Sequence, residues 1–208
     1  GSPMSTTANV AGVGMIPFAK PGASESYVAM GATAIRAALD DAGLSIHDME
    51  ALYCGNLMQA SGMVGQRVLQ QIGQTGIPVI NVANACATGA TALREGWTAI
   101  KAGLYDLVLC VGVEQMAGAG LLGGGGGGKG IPTEGLLGSG TMPAVFSEAG
   151  MEHSRKYGTT FEQFAKVSVK NHWHSTMNPK ARYQIETPLE EVMGAEMISY
   201  PNTKLMCS

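Results

Sequence analysis

A chain of 208 residues is long enough to bury a sizeable core, and with 45% apolar and 14% charged residues it is neither disorder-prone nor dominated by a solvated charged surface. The net charge is −3 and the 13 basic residues are scattered, which excludes the basic stripe of a nucleic-acid-binding protein. No apolar stretch is long enough to span a bilayer, and the opening Gly1-Ser2-Pro3-Met4, read as a cloning remnant up to Pro3, lacks the order of a signal peptide, so a cytoplasmic protein with no membrane partner is expected.

Up to about residue 114, short apolar runs alternate with helical patterns, the mark of a layered βαβ sheet. Residues 9–15, 51–55, 78–84 and 107–113 are the expected strands, and their continuous apolar character predicts burial on both faces. Val28, Ala32, Ile35 and Leu39 recur at helical spacing before Gly43, a C-terminal stop. Residues 63–72 predict a second helix, closed by Gly73. In a third, Cys86, Ala90, Leu93, Trp97, Ile100 and Leu104 follow one another by three or four residues and predict a single buried apolar face.

From Ala117 to about Val145 a glycine-rich stretch predicts a loop. Its run of glycines at 123–128 is followed by Lys129-Gly130, not by the Lys-Ser/Thr of a phosphate-binding loop. Helices are expected again over residues 146–157 and from Thr159, with Glu162 completing a capping box, to about Ser175. A short helix from Thr187-Pro188 to Val192 and an extended segment over residues 198–206 follow.

The four cysteines, Cys54, Cys86, Cys110 and Cys207, are far apart and form no C-x-x-C, so neither a zinc site nor a disulfide framework is expected. Cys86 stands where the third strand gives way to the third helix. A helix N-terminus offers free N–H groups and the positive end of a dipole, which favour a thiolate and an oxyanion beside it. Cys54 and Cys110 fall inside strands, where a desolvated thiol is inert, and Cys207 is expected to be a packed core cysteine. His172 and His174 are two apart and cannot form a helical i, i+4 metal pair; local hydrogen bonding or solvation is expected of them. His47 and His153 are isolated.

The string Asn84-Ala85-Cys86-Ala87-Thr88-Gly89-Ala90 and the later Leu107-Val108-Leu109-Cys110-Val111-Gly112-Val113-Glu114-Gln115-Met116 closely resemble the thiolase superfamily. Gly12-Val13-Gly14-Met15 with Phe18 and Lys20-Pro21-Gly22, and Lys170-Asn171-His172-Trp173-His174-Ser175 with Asn178-Pro179, make the resemblance closest to the sterol-carrier-protein-2-type thiolases. The resemblance implies an α/β protein with a layered αβαβα fold built of two similar halves. This chain would supply the first: residues 4–116 the layered part, 117–200 an inserted loop domain, and 201–208 a strand leading to an absent C-terminal half.

It further implies that Cys86 is acylated by a 3-oxoacyl-CoA, with coenzyme A as cosubstrate and no metal, while the histidines and a second acid/base cysteine lie in the other half. The expected activity is thiolytic cleavage of 3-oxoacyl-CoA or the reverse Claisen condensation. A carbon–carbon lyase of steroid side-chain breakdown on the same fold and a non-catalytic assembly subunit are the alternatives. The resemblance also implies a homodimer or dimer of dimers, with residues 78–84 near the two-fold axis, and allows a small zinc-ribbon and OB-fold accessory protein. Met116, just past a strand end, is the candidate residue of the acyl pocket; Met142 and Met151 are expected to serve ordinary packing.

Overall fold

The computed structural model describes residues 7–116 and 142–207. The chain forms two compact units, residues 1–116 and 117–208.

The first unit is organised around β1 (Ala51–Gly55), the centre of a three-stranded parallel sheet in the order β2-β1-β3, with β2 at Val79–Val82 and β3 at Val108–Gly112. Gly55 is level with Val82 on one side and Gly112 on the other, so the three carboxyl ends are aligned. The sheet alternates its side chains between two cores. Leu52, Cys54, Leu109 and Val111 meet Ile35 and Leu39 of α1 (Tyr27–Ala42) and Val64, Val68 and Leu69 of α2 (Val64–Ile72). Ala51 and Tyr53 face the other way, onto Ala92 and Ala99 of α3 (Thr88–Lys101). The chain leaving β1 therefore turns to α2 on one face, while that leaving the adjacent β2 turns to α3 on the other. The divergence lies at the carboxyl ends, where open α/β sheets assemble their sites.

The ends of α1 and α2 follow from local chemistry. Ser26 accepts the Ala29 N–H at 3.3 Å, and Gly43, at φ 67°, ends α1 in a left-handed conformation that glycine adopts without penalty. The expectation of strands buried on both faces holds for β1 and fails for β2, an edge strand whose Asn81 is exposed. Its side chain instead accepts the Gly65 N–H and donates to Gln66 Oε1, both at 2.8 Å.

Two further expectations are corrected. Residues 9–15 form no strand: Gly12 and Gly14 press against the backbone of α1, and a cavity of about 440 Å³ lies between this segment and the outer edge of β3. With no ladder partner among the described residues, the segment is held through the Val13 N–H, which donates to Asp41 Oδ2 at 2.8 Å. The third helix starts at Thr88, not Cys86, and buries Thr88, Ala92, Gly96 and Ala99 in place of the expected large apolar face. Leu93, Trp97 and Leu104 are each more than half exposed. The small residues win because they let the helix settle close onto the sheet; a Cβ on Gly96 would collide with Cys110 Sγ.

The second unit consists of α4 (Met142–Tyr157), α5 (Phe161–Ser175), α6 (Leu189–Gly194) and a hairpin of β4 (Met197–Ser199) with β5 (Asn202–Thr203), ending in a 3₁₀ turn over Lys204–Met206. Residues 142–145, expected as loop, are helical; the glycines at 123–128 lie outside the described residues. The capping box is one residue later than expected. Thr160 Oγ1 accepts from Gln163 N at 3.2 Å and Gln163 Oε1 accepts from Thr160 N at 2.8 Å, while the Thr159 hydroxyl is 2.9 Å from His153 Nδ1. The short helix begins after Pro188, its N-cap, and runs to Gly194. The expected extended run over 198–206 is instead a tight antiparallel hairpin with a cis Tyr200–Pro201 bond, tied down where the buried Thr203 hydroxyl donates to the Val192 carbonyl at 2.7 Å.

Candidate active site

Between the end of β2 and the start of α3 the chain reverses through residues 83–87. The Ala87 N–H donates to the Asn84 carbonyl at 2.9 Å, and the Thr88 hydroxyl donates to the Ala85 carbonyl at 2.6 Å while accepting the Asn84 N–H at 2.8 Å. Held by these bonds, Ala85 adopts φ 45°, a left-handed conformation that costs a residue with a Cβ roughly 1–2 kcal/mol. Such strain persists only where the surroundings over-determine it, and it gathers at functional sites. Here its effect is to turn Cys86 outward: the thiol is exposed.

Cys86 is followed by Ala87, the N-cap of α3, and no side chain caps the first turn of this helix. The Thr88 N–H is taken by the Ala85 carbonyl at 3.3 Å, but those of Gly89 and Ala90 are left to a ligand or to water, which suits an anion formed at the neighbouring sulfur or on an attacked carbonyl. The floor of the turn is backbone. A Cβ on Gly55 would lie 2.8 Å from the Thr88 carbonyl oxygen, and one on Gly112 would lie 3.1 Å from Gly89 Cα. The ends of β1 and β3 thus press directly on the first turn of α3.

Beside this turn stands a group that residue spacing did not reveal. Asn56 is 4% exposed; its backbone N–H donates to the Val82 carbonyl at 3.2 Å and its amide to the Val113 carbonyl at 2.8 Å. Glu114 accepts N–H bonds from Leu57 and Met58 at 3.0 and 3.2 Å. Residues 57 and 114 are far apart in sequence, and only the parallel alignment of β1 with β3 brings them together.

The other candidates separate cleanly. Cys54 is fully buried, and burial pushes its thiol up to about 12; burial raises Cys110 to about 11 against a small lowering by a backbone hydrogen bond from Gly96. Cys207 is exposed, not the packed core residue expected, because the 3₁₀ turn before it carries it out of the hairpin; burial still raises its thiol. His172 is buried and locally hydrogen-bonded, its Nδ1 lying 2.9 Å from the Ser168 carbonyl. Met116 is half-buried, four residues beyond the end of β3, and the 440 Å³ cavity includes neither it nor Cys86. Met142 and Met151 are about half exposed.

The two raised thiols carry a pH dependence with a definite sign. In the unfolded chain Cys54 and Cys110 ionise near their ordinary value of 9.0, whereas in the folded protein they remain protonated to about 12 and 11. Between those limits the unfolded state binds fewer protons, so stability is fully present below about pH 9 and falls as pH rises through 9 towards 11 and 12. The urea midpoint should therefore drop between pH 8 and pH 10.5, and a Cys54→Ala variant should show a shallower drop. An unchanged midpoint across that range would contradict the burial of these thiols.

Comparison with known proteins adds the lineage. Residues 9–196 match the family model for the thiolase N-terminal domain. Sterol carrier protein 2 of Gallus gallus is 39% identical over 210 residues, covering 95% of this chain and 38% of that protein, and the human protein of the same name is 38% identical. An acetyl-CoA acetyltransferase of Methanothermobacter thermautotrophicus is 33% identical over 82% of this chain and 46% of its own length. The chain thus spans less than half the length of these curated relatives. Among solved structures, the Ltp2-ChsH2(DUF35) aldolase superposes with a TM-score of 0.75 over 94% of this chain and 50% of that one, at 22% identity. Human mitochondrial 3-ketoacyl-CoA thiolase, solved in complex with CoA, superposes with a TM-score of 0.63 over 83% and 50%, at 17% identity. These structures share the fold of the β2-β1-β3 sheet and its flanking helices, and the sequence match extends through the strained turn at Cys86: the chain belongs to the thiolase family.

Proposed function

We propose that this chain carries the nucleophile of a CoA-dependent acyltransferase of the thiolase type, and that the nucleophile is Cys86. The observation that carries this reading is the strained turn at Ala85, which presents an exposed thiol directly before the uncapped first turn of α3. In the cleavage direction the Cys86 thiolate attacks the C3 carbonyl of a 3-oxoacyl-CoA. The C2–C3 bond breaks, its electron pair leaves on C2, and a proton delivered to that carbon yields acetyl-CoA. The thiol of a second CoA, giving up its proton, then attacks the acyl–sulfur bond, and the shortened acyl-CoA departs as Cys86 regains its thiolate. The reverse sequence is the Claisen condensation. The backbone N–H groups of Cys86, Gly89 and Ala90, not those of Ala87 and Thr88 that close the turn, are suited to hold the oxyanion in each step.

The proton donor and acceptor are assigned to a second half of the kind that completes the longer relatives, and Met116 to the acyl pocket. The outer face of α3, with Leu93 and Trp97 exposed, suits a further layer, and the open edge of β2 suits a two-fold partner. Incubating a protein that contains this chain and such a second half with acetoacetyl-CoA and CoA should form two acetyl-CoA per substrate consumed. The 208-residue chain alone should show no multiple turnover, because general acid–base groups typically contribute 10²–10⁴-fold. CoA-independent cleavage of a 3-hydroxyacyl-CoA would instead favour the lyase, and sustained thiolysis by the 208-residue chain would remove the need for the second half.

A further inference from the structure

The loops leaving the carboxyl ends of the adjacent β1 and β2 diverge, one to α2 and one to α3. The Cys86 turn follows β2; the segment after Gly55 follows β1, and its backbone is fixed in an unusual way. Glu114 Oε2 accepts the Leu57 N–H at 3.0 Å, and Oε1 accepts the Met58 N–H at 3.2 Å and the Asn56 amide at 3.3 Å. Successive N–H donors from residues 57 and 58 thus converge on one carboxylate. Asn56 and Gln59 reinforce the arrangement: the Asn56 amide also donates to Gln59 Oε1 at 3.0 Å, Asn56 Oδ1 accepts the Gln59 N–H at 2.8 Å, and the Gln59 amide donates to the Gln115 carbonyl at 2.9 Å.

What the clamped segment displays is apolar. Leu57, Met58 and Met63 are 42%, 53% and 60% exposed, and Met63 holds φ 51° at the N-cap of α2. Three large apolar side chains in water on one short loop, whose backbone is held by the buried Asn56 and the exposed Glu114 carboxylate, are poorly explained by packing within this unit. Leucine and methionine offer an adaptable surface for a flexible hydrocarbon chain. The two loops start side by side, since the Asn56 N–H donates to the Val82 carbonyl at 3.2 Å, two residues before Asn84.

We propose that Glu114 is a positioning residue that clamps Leu57 and Met58, so that residues 57–63 form one wall of the acyl-chain site beside Cys86. The inference rests on the Cys86 reading, but the clamp can be measured without substrate. In Glu114→Gln, which keeps the shape but replaces one acceptor oxygen with a donor, amide exchange at Leu57 and Met58 should accelerate at least about tenfold, while iodoacetamide labelling of Cys86 stays within about twofold of the parent, as expected for loss of one to two hydrogen bonds.

Single-turnover acylation of Cys86 by octanoyl-CoA relative to acetyl-CoA, read by intact mass, should fall at least about fivefold in that variant, the effect of roughly 1 kcal/mol of lost apolar contact. The double variant Leu57→Ala/Met58→Ala alters only exposed side chains. It should lower the octanoyl preference equally while leaving both amides protected, which keeps the test intact if Glu114→Gln folds poorly. Unchanged exchange in Glu114→Gln, or an unchanged chain-length ratio in the double variant, overturns the proposal. Absence of any acyl adduct in the parent protein overturns the Cys86 reading, and the wall proposal with it.

Discussion

Replacing Cys86 with alanine should reduce thiolysis of acetoacetyl-CoA by at least about 10³-fold in a protein that joins this chain to a second half of the kind its longer relatives carry, because no other group on the turn can form the acyl intermediate. The fold should be unaffected. Cys86 is exposed, so the change removes an atom that fills no core, and circular dichroism and the urea midpoint should match the parent. Cys86→Ser is the sharper variant: the hydroxyl has nearly the same shape but is far less acidic than a thiol, so loss of turnover with retained acyl-CoA binding separates nucleophilicity from recognition. Turnover within tenfold of the parent in either variant would remove Cys86 from the mechanism and bring the lyase reading forward.

The second large effect is expected at the floor of the turn. Gly55→Val should destabilise the 208-residue chain by about 3 kcal/mol and suppress alkylation of Cys86, because the added side chain meets backbone rather than a movable side chain. At the ideal position its Cβ lies 2.8 Å from the Thr88 carbonyl oxygen and 2.9 Å from Thr88 Cγ2, and Thr88 is the residue whose hydroxyl holds Ala85 and Asn84 in place. Relief requires α3 to lift from the sheet or the turn to open; either moves Cys86. Gly89→Ala is the control. A Cβ there meets nothing within 4 Å, and alanine in a helix is favoured over glycine by roughly 0.8–1.0 kcal/mol, so this neighbouring change should be neutral or stabilising. Urea unfolding of the two variants side by side measures the contrast; equal midpoints would show that the strand end does not bear on the turn.

Much of the first unit was legible because its signals are local. The apolar run at β1 is buried on both sides and cannot be mistaken for a polar loop; Gly43 stops α1 for a reason written in its own backbone freedom, while Gly73 closes α2 in extended backbone. The placement of Cys86 between a strand and a helix was legible for the same reason. The failures share a physical cause: each depends on a partner that spacing does not show. A strand over residues 9–15 needs a neighbouring ladder within hydrogen-bond reach, and a cavity stands where one would lie. The apolar stripe on α3 reads as a buried face only if size decides, whereas close approach to the sheet favours Gly96 and Ala92 over Leu93 and Trp97. Thr160 outcompetes Thr159 as a cap because Gln163 can return the hydrogen bond. The strain at Ala85 and the Glu114 clamp are invisible in sequence, since one is a backbone angle and the other spans residues 56–114.

If acyl transfer passes through the sulfur of Cys86, a trapped acyl group should be found on that sulfur. The protein is incubated with acetyl-CoA, quenched in acid, digested and mapped by mass spectrometry with all four cysteines covered. An acetyl increment is expected on the peptide that contains Cys86, absent from those of Cys54, Cys110 and Cys207, and lost when iodoacetamide is added first. Cys54 and Cys110 are held as thiols by burial and Cys207 is raised in the same direction, so selectivity should survive up to pH 9. An increment on Cys207, or an acetyl group spread evenly over the exposed thiols, would contradict the assignment.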